Sequence, residues 1–191
     1  MLVRAGDVRY VGVSNWAAWQ IMKAIGIAQA RNLAPVISLQ GYYSLVGRDL
    51  ERELVPMLNA ERVGLMVWSP LAGGYLTGKY SGHGGDGGGR LDGLDFPPID
   101  RTRGEPLIDI LGRVARKHGC SPAQVALAWL LKQPVVTSVI IGARGVEQLS
   151  ENIDATRVQL DDADLADLDA VSRLPVEYPG WLLDRPTDRH P

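Results

Sequence analysis

Cysteine is nearly absent from this sequence, with Cys120 alone among 191 residues. A single thiol can form neither an internal disulfide nor a cysteine-built metal centre. Charge of one sign is lacking as well: 20 Lys and Arg stand against 22 Asp and Glu, a formal net charge of −2. Without a basic field nothing draws in a polyanion, so a small molecule is the expected partner and nucleic acid is not. Long apolar runs are also missing. Charges, Gly or Pro interrupt each one before the roughly 20 residues that a membrane span requires, so no membrane partner is expected. Met1-Leu2-Val3-Arg4 shows no signal-type apolar stretch, which makes the cytoplasm the expected compartment. What the chain does have is 46% hydrophobic residues, enough for a sizeable core in one domain.

Apolar residues recur in a strand-then-helix rhythm. Val8 to Val13 is a β-rich run, followed by a helical pattern from Trp16 to Arg31. Pro35 to Gln40 is a second strand, with Leu50, Leu54, Val55 and Leu58 on one face of the next helix. Gly64 to Trp68 is a third, stopped by Ser69-Pro70. Residues 82–103, glycine-rich at their start, predict a flexible surface loop. Helical spacing resumes at Leu107, Ile108, Leu111 and Val114, and again after Ser121-Pro122-Ala123-Gln124, a capping box with proline in the first helical position. Val135 to Ile141 is the most β-branched run, fit for a strand buried on both faces, and a helix over about 146–155 follows. Asp161 with Asp164 opens an acidic helix to about Ser172, and residues 175–191 read as a surface tail rich in Pro and charge. Four strands alternating with helices predict a parallel sheet, either doubly wound or part of a (β/α)8 barrel.

In parallel α/β folds ligands bind beyond the carboxyl ends of the strands. Here those ends carry Ser14-Asn15, Gln40, Trp68-Ser69-Pro70 and Gly142-Ala143-Arg144. Together they offer amides, an indole face, a hydroxyl and a guanidinium, a set suited to a nicotinamide dinucleotide. Each also has a plainer reading: Ser-Asn as a helix start, Gln40 as a solvated loop residue, Trp68 as core. Gly73 to Lys79 approaches a phosphate-binding P-loop, but Tyr80 stands where Ser or Thr is needed and glycine-rich sequence follows instead of a helix.

Tyr10-Val11-Gly12-Val13-Ser14-Asn15, Trp68-Ser69-Pro70-Leu71-Ala72-Gly73-Gly74 with Leu76-Thr77-Gly78-Lys79, and Ile141-Gly142-Ala143-Arg144 with Gln148 and Glu151-Asn152, taken in this order, closely resemble the aldo-keto reductases over nearly the whole chain. The resemblance implies a partial (β/α)8 barrel, the C-terminal half with four parallel strands, over residues 1–174. It also implies reduction of an aldehyde or ketone by NADPH, with NADH the lesser option. By the same resemblance Ser14, Asn15 and Gln40 would hold the nicotinamide carboxamide and Trp68 would stack on its ring. Ser69, Pro70, Leu71, Gly73, Leu76 and Lys79 would cradle the pyrophosphate. Gly142, Ala143, Arg144, Gln148, Glu151 and Asn152 would surround the adenosine end, where relatives often carry Lys or Ser at positions 142 and 143 and a basic residue at 148. Arg144 would then bear most of the grip on a 2′-phosphate.

In the family the Asp, Tyr, Lys and His that move the proton come from the second to fourth strands, and Ser14-Asn15 corresponds to the end of the fifth. The expectation is therefore a chain truncated to the cofactor-binding half, inactive alone, with a carbonyl substrate only if the missing half is supplied. His83, His118 and His190 end no strand, and Tyr42 and Tyr43 have no evident Lys or His beside them. A non-catalytic NADP-binding module, as the potassium-channel β subunits of the family serve, and an inert gene fragment are the alternatives. An opened barrel would expose two strand edges and barrel-facing Val11, Val13, Val67 and Ile140, favouring a homodimer paired through those edges.

Overall fold

The protein is described by a computed structural model over residues 2–78 and 96–183. Strand β1 (Val11–Ser14) leads to helix α2 (Ala18–Ala30), β2 (Val36–Tyr42) to α3 (Leu54–Glu61), and β3 (Gly64–Trp68) to α4 (Arg101–His118) and α5 (Pro122–Leu131). Strand β4 (Val136–Val139) leads to α6 (Val146–Asp154) and α7 (Asp162–Ser172), with short turns α1 (Leu2–Ala5) before β1 and α8 (Gly180–Leu183) near the other end. All four strands are parallel in one sheet of order β1-β2-β3-β4. Sequential parallel neighbours with helical crossovers are what part of a (β/α)8 barrel looks like. No helix among the described residues is long and apolar enough to cross a membrane.

The two faces of the sheet are the reverse of what the apolar pattern suggested. Val67 is fully buried and Val13 packs on the core, so these valines face the helices, where Leu39, Leu65, Ile21, Leu58, Leu107 and Leu130 also lie with no more than 1% exposure. Ile140 stands beyond the end of β4 and is 37% exposed. The opposite face carries Gly12, Ser14, Ser38, Gln40 and Gly64, small or polar groups. A Cβ on Gly12 would come within 2.3 Å of the Ser38 Oγ, and one on Gly64 within 2.7 Å of the Thr137 Oγ1. Glycine lets neighbouring strands keep those hydroxyls between them.

Local chemistry sets the helix ends. At α5 the Ser121 hydroxyl accepts from the Gln124 N–H (3.3 Å) while the Gln124 Oε1 accepts from the Ser121 N–H (2.9 Å). Asp161 and Asp164 repeat the arrangement at α7, at 2.9 and 3.1 Å. Helix α4 starts at Arg101 because the Asp100 carboxylate accepts from the Thr102 N–H, which shortens the expected 82–103 loop at its far end; residues 79–95 lie outside the described residues. The described part of the tail is tied down at its start, while residues 184–191 lie outside the described residues. Arg52 donates to the Pro175 carbonyl (3.2 Å) and pairs with Glu177 (2.9 Å), and the α8 turn follows.

Behind the sheet, buried Arg48 joins the loop after β2 to α7. Its guanidinium pairs with Glu51 (2.7 Å) and Asp169 (2.8 Å), donates to the Ser172 hydroxyl (2.7 Å) and lies 5.2 Å over the Trp129 ring. The Tyr43 hydroxyl donates to the same Glu51 at 2.7 Å. A second cluster fixes α4 on α7: Asp164, nearly buried, accepts from Lys117 (2.8 Å) and hydrogen-bonds His118 (2.7 Å). His118 is thus half-buried and partnered.

Candidate functional site

Parallel pairing with Ser14 opposite Gln40 and Tyr42 opposite Trp68 puts the residues that end β1, β2 and β3 on one level. Gln40 lies inside β2, two residues short of its end, so its side chain belongs to the open face of the sheet and not to a loop. Asn15 adopts a left-handed backbone, φ 58°, a conformation that asparagine tolerates better than most residues. This turns its N–H toward the Gln40 carbonyl (3.1 Å) and its Oδ1 toward the Trp68 indole N–H (2.9 Å). Neither Ser14 nor Asn15 caps a helix. Helix α2 starts three residues later, with Ala17 as N-cap and its N–H donated to the Gln20 side chain. Trp68 is half-buried, so the core reading fails for it too.

Phe96 was not foreseen. Its ring stacks on Trp68 at 5.6 Å with 12° between planes, and Tyr42 leans on the same indole at 5.2 Å and 37°. No periodic signal could have singled Phe96 out, since it lies between glycine-rich sequence and Pro97-Pro98.

After β3 the backbone turns sharply. Ser69 (φ 51°), Ala72 (φ 47°), Gly73 (φ 66°) and Gly74 (φ 95°) are all left-handed. Such strain in non-glycine residues concentrates at functional sites. The Ser69 carbonyl accepts from Ala72 and its hydroxyl from the Gly73 N–H (3.4 Å), and the Leu71 carbonyl accepts from Gly74 and Leu76. Pro70 is buried under the turn. The Leu76 side chain is fully buried in the core, which leaves it no surface to offer a ligand, and Lys79 lies outside the described residues.

The end of β4 is held beside β3 by the Ile140 N–H on the Val67 carbonyl, 2.8 Å. Gly142, Ala143 and Arg144 are therefore neighbours of the Ser69–Gly74 turn's root, all of them exposed. The Arg144 N–H donates to the Gln148 Oε1 (2.9 Å), which folds 142–148 back on the start of α6. On the inner side of α6, Asn152 is 6% exposed and its Nδ2 has no hydrogen-bond partner among the described residues. Glu151 beside it is exposed and gives its carbonyl to the Gln124 side chain, 3.0 Å.

The tyrosines near the strand ends are poor acids. Burial pushes Tyr43 far above the usual phenol range, and its hydrogen bond to Glu51 adds to this. Burial also raises Tyr42, against the Ser44 hydroxyl bonded to it. Cys120 is raised by burial as well. No group of three His, Cys, Asp or Glu among the described residues could hold a metal ion.

Sequence comparison shows which known proteins the chain is similar to. The family model for the aldo/keto reductase family covers residues 1–173. The chain belongs to the aldo/keto reductase family. It is 36% identical over 174 residues to Protein tas of Escherichia coli, covering 90% of this chain and 50% of that protein. It is 39% identical over 161 residues to the uncharacterized oxidoreductase YrpG of Bacillus subtilis, 83% of this chain and 47% of that one. To a norsolorinic acid reductase of Aspergillus flavus it is 30% identical over 190 residues, 99% of this chain and 47% of the relative. This aldo/keto reductase chain thus spans about half the length of the relatives it matches.

Proposed function

We propose that this chain is the dinucleotide-binding part of an NAD(P)H-dependent oxidoreductase acting on an aldehyde or ketone, equivalent to the last four strand-helix units of a (β/α)8 barrel. The observation that carries the reading is Asn152. A buried amide donor without an acceptor costs about 1–3 kcal/mol, and the Asn152 Nδ2, in α6, has none among the described residues. An adenine ring nitrogen is an acceptor of the right kind for it. The same reading gives Ser14, Asn15 and Gln40 the carboxamide, Trp68 the nicotinamide ring, and the Ser69, Leu71 and Gly73 backbone the pyrophosphate. Gly142 and Ala143 leave room for the ribose, while Gln148 and Glu151 flank it.

When bound, the nicotinamide would supply a hydride to the carbonyl carbon. The work of these residues is to orient that ring and to keep its carboxamide in the plane set by Asn15, whose Oδ1 the Trp68 indole N–H already fixes. Trp68 must make room, because Phe96 covers part of its surface. The tyrosines at the described strand ends, Tyr42 and Tyr43, are both raised by burial, which argues against either as the source of the proton needed at the carbonyl oxygen. We therefore assign that step to groups beyond this half of the barrel. Arg144, exposed and with no ion pair among the described residues, favours NADPH over NADH by offering a cation to the 2′-phosphate. The outer edges of β1 and β4 are unpaired within the sheet, which supports pairing with a further half-barrel, a second copy included.

Fluorescence titration of the chain with NADPH and NADH tests this. Trp68→Ala should weaken both, and Arg144→Ala should weaken NADPH about tenfold more than NADH, the value of one charge-assisted contact. Equal losses for the two nucleotides would remove Arg144 from the 2′-phosphate.

A further inference from the structure

A cavity of about 580 Å³ lies apart from the open face of the sheet. Its floor is Leu39 and Gly41, the helix-facing residues of β2, so it lies behind the sheet whose open face carries Gln40. Its walls come from the start of α2 and the segment leading into α3.

Three aromatic side chains line it: Trp16, Trp19 and Tyr42. Trp16, just before α2, and Trp19, in its first turn, are 41% and 66% exposed, with no partner ring among the described residues. Large exposed aromatics beside a cavity mark a binding surface more often than scattered ones do. The charges around it are uneven. Asp49, Arg52 and Glu53 line the cavity, but the guanidinium of Arg52 is already spent on the Pro175 carbonyl (3.2 Å), Glu177 (2.9 Å) and, more distantly, Asp49 (3.7 Å). Glu53 has no cation beside it among the described residues. Three carboxylates thus surround one fully engaged guanidinium, leaving the cavity mouth negative.

We propose that this cavity binds a small organic cation, a quaternary or aromatic ammonium ion. Faces of Trp and Tyr attract such a cation through the ring quadrupole, most strongly where water is excluded. The apolar floor accepts its hydrocarbon part, and Asp49 and Glu53 supply the counter-charge. A neutral aromatic would gain the floor but not the carboxylates, and an anion would meet them unfavourably. The cavity faces the helices but shares Asn15 and Tyr42 with the strand-end site, so the titration below is made on the chain without dinucleotide.

Isothermal titration of the full chain with benzyltrimethylammonium, benzyl alcohol and benzenesulfonate tests the proposal. Saturable heat is expected for the cation, weaker binding for the alcohol and none for the sulfonate. Trp19→Ala, at an exposed position that should leave thermal unfolding unchanged, is expected to raise the cation's Kd about tenfold. Glu53→Gln should raise it about threefold, as for one partly screened charge. No saturable binding of the cation, binding of the sulfonate as tight as the cation's, or a cation Kd unmoved by Trp19→Ala would overturn it.

Discussion

The two faces of the four-stranded sheet are finished differently. Behind it, polar groups that enter the interior arrive with partners: Arg48 satisfies Glu51, Asp169 and Ser172 at once, and Asp164 receives Lys117 and His118. At the strand ends the accounts stay open, with left-handed Asn15, Ser69 and Ala72, a partly covered Trp68 and an Asn152 amide without an acceptor. One region is built to be complete in itself. The other holds its geometry ready for something that the chain does not provide.

If that contrast is right, breaking the closed side should cost the most. Arg48→Ala removes the guanidinium that Glu51, Asp169 and Ser172 share, leaving Glu51 with Tyr43 and Asp169 with Arg173, and is expected to destabilise by about 3 kcal/mol in urea unfolding, the low end for removing one member of a buried ion pair. Less than about 1 kcal/mol would mean that the cluster is effectively solvated.

Asp164 comes next and adds a pH dependence. Burial pushes its carboxyl up, but the bonds from Lys117 and His118 and from the Asp161 N–H outweigh this and hold it well below the ordinary carboxylate range. A carboxyl lowered by folding contributes stability that is present above its unfolded value, about 3.9, and lost as pH falls through the folded one. Asp164→Asn should therefore cost about 2 kcal/mol near neutrality, from lost charged hydrogen bonds. It should also flatten the stability decline below about pH 4. An unchanged acid limb in thermal melts would reassign that decline to other carboxylates.

On the open side the sign should reverse. Asn152→Leu removes an unpaired buried donor at similar volume, so the chain should be unaffected or gain up to about 1 kcal/mol. Dinucleotide affinity should nonetheless drop. A variant that is both less stable and still fully able to bind would show that Asn152 is satisfied and structural.

Much of the closed side could be read from the sequence because its signals are local. The Ser121-Gln124 and Asp161-Asp164 boxes span three residues each, and both appear at the predicted helix starts. That the strands are parallel followed from their alternation with helices, whereas their sequential order came only with the family resemblance, since spacing left a doubly wound sheet open. The facing of β1 and β3 did not, because Val11, Val13, Val67 and their neighbours alternate with residues that are themselves small or apolar. A one-residue choice of parity then has no polar stripe to decide it. The Asn15–Trp68 bond, 53 residues apart, and the Phe96 stack depend on where the sheet delivers each side chain, and no window of sequence contains them. Strand-end amides could be proposed only because they recur in a known order.

Gly12 and Ser38 illustrate a different kind of constraint. With the serine hydroxyl 2.3 Å and its carbonyl oxygen 3.0 Å from where a methyl at position 12 would lie, rotating Ser38 away relieves only the first contact. A larger residue at 12 is therefore tolerable only alongside a change at 38 and a slight parting of β1 from β2. In a mutational library the two positions should behave as a single locus, most single replacements at 12 failing and the survivors carrying a companion at 38.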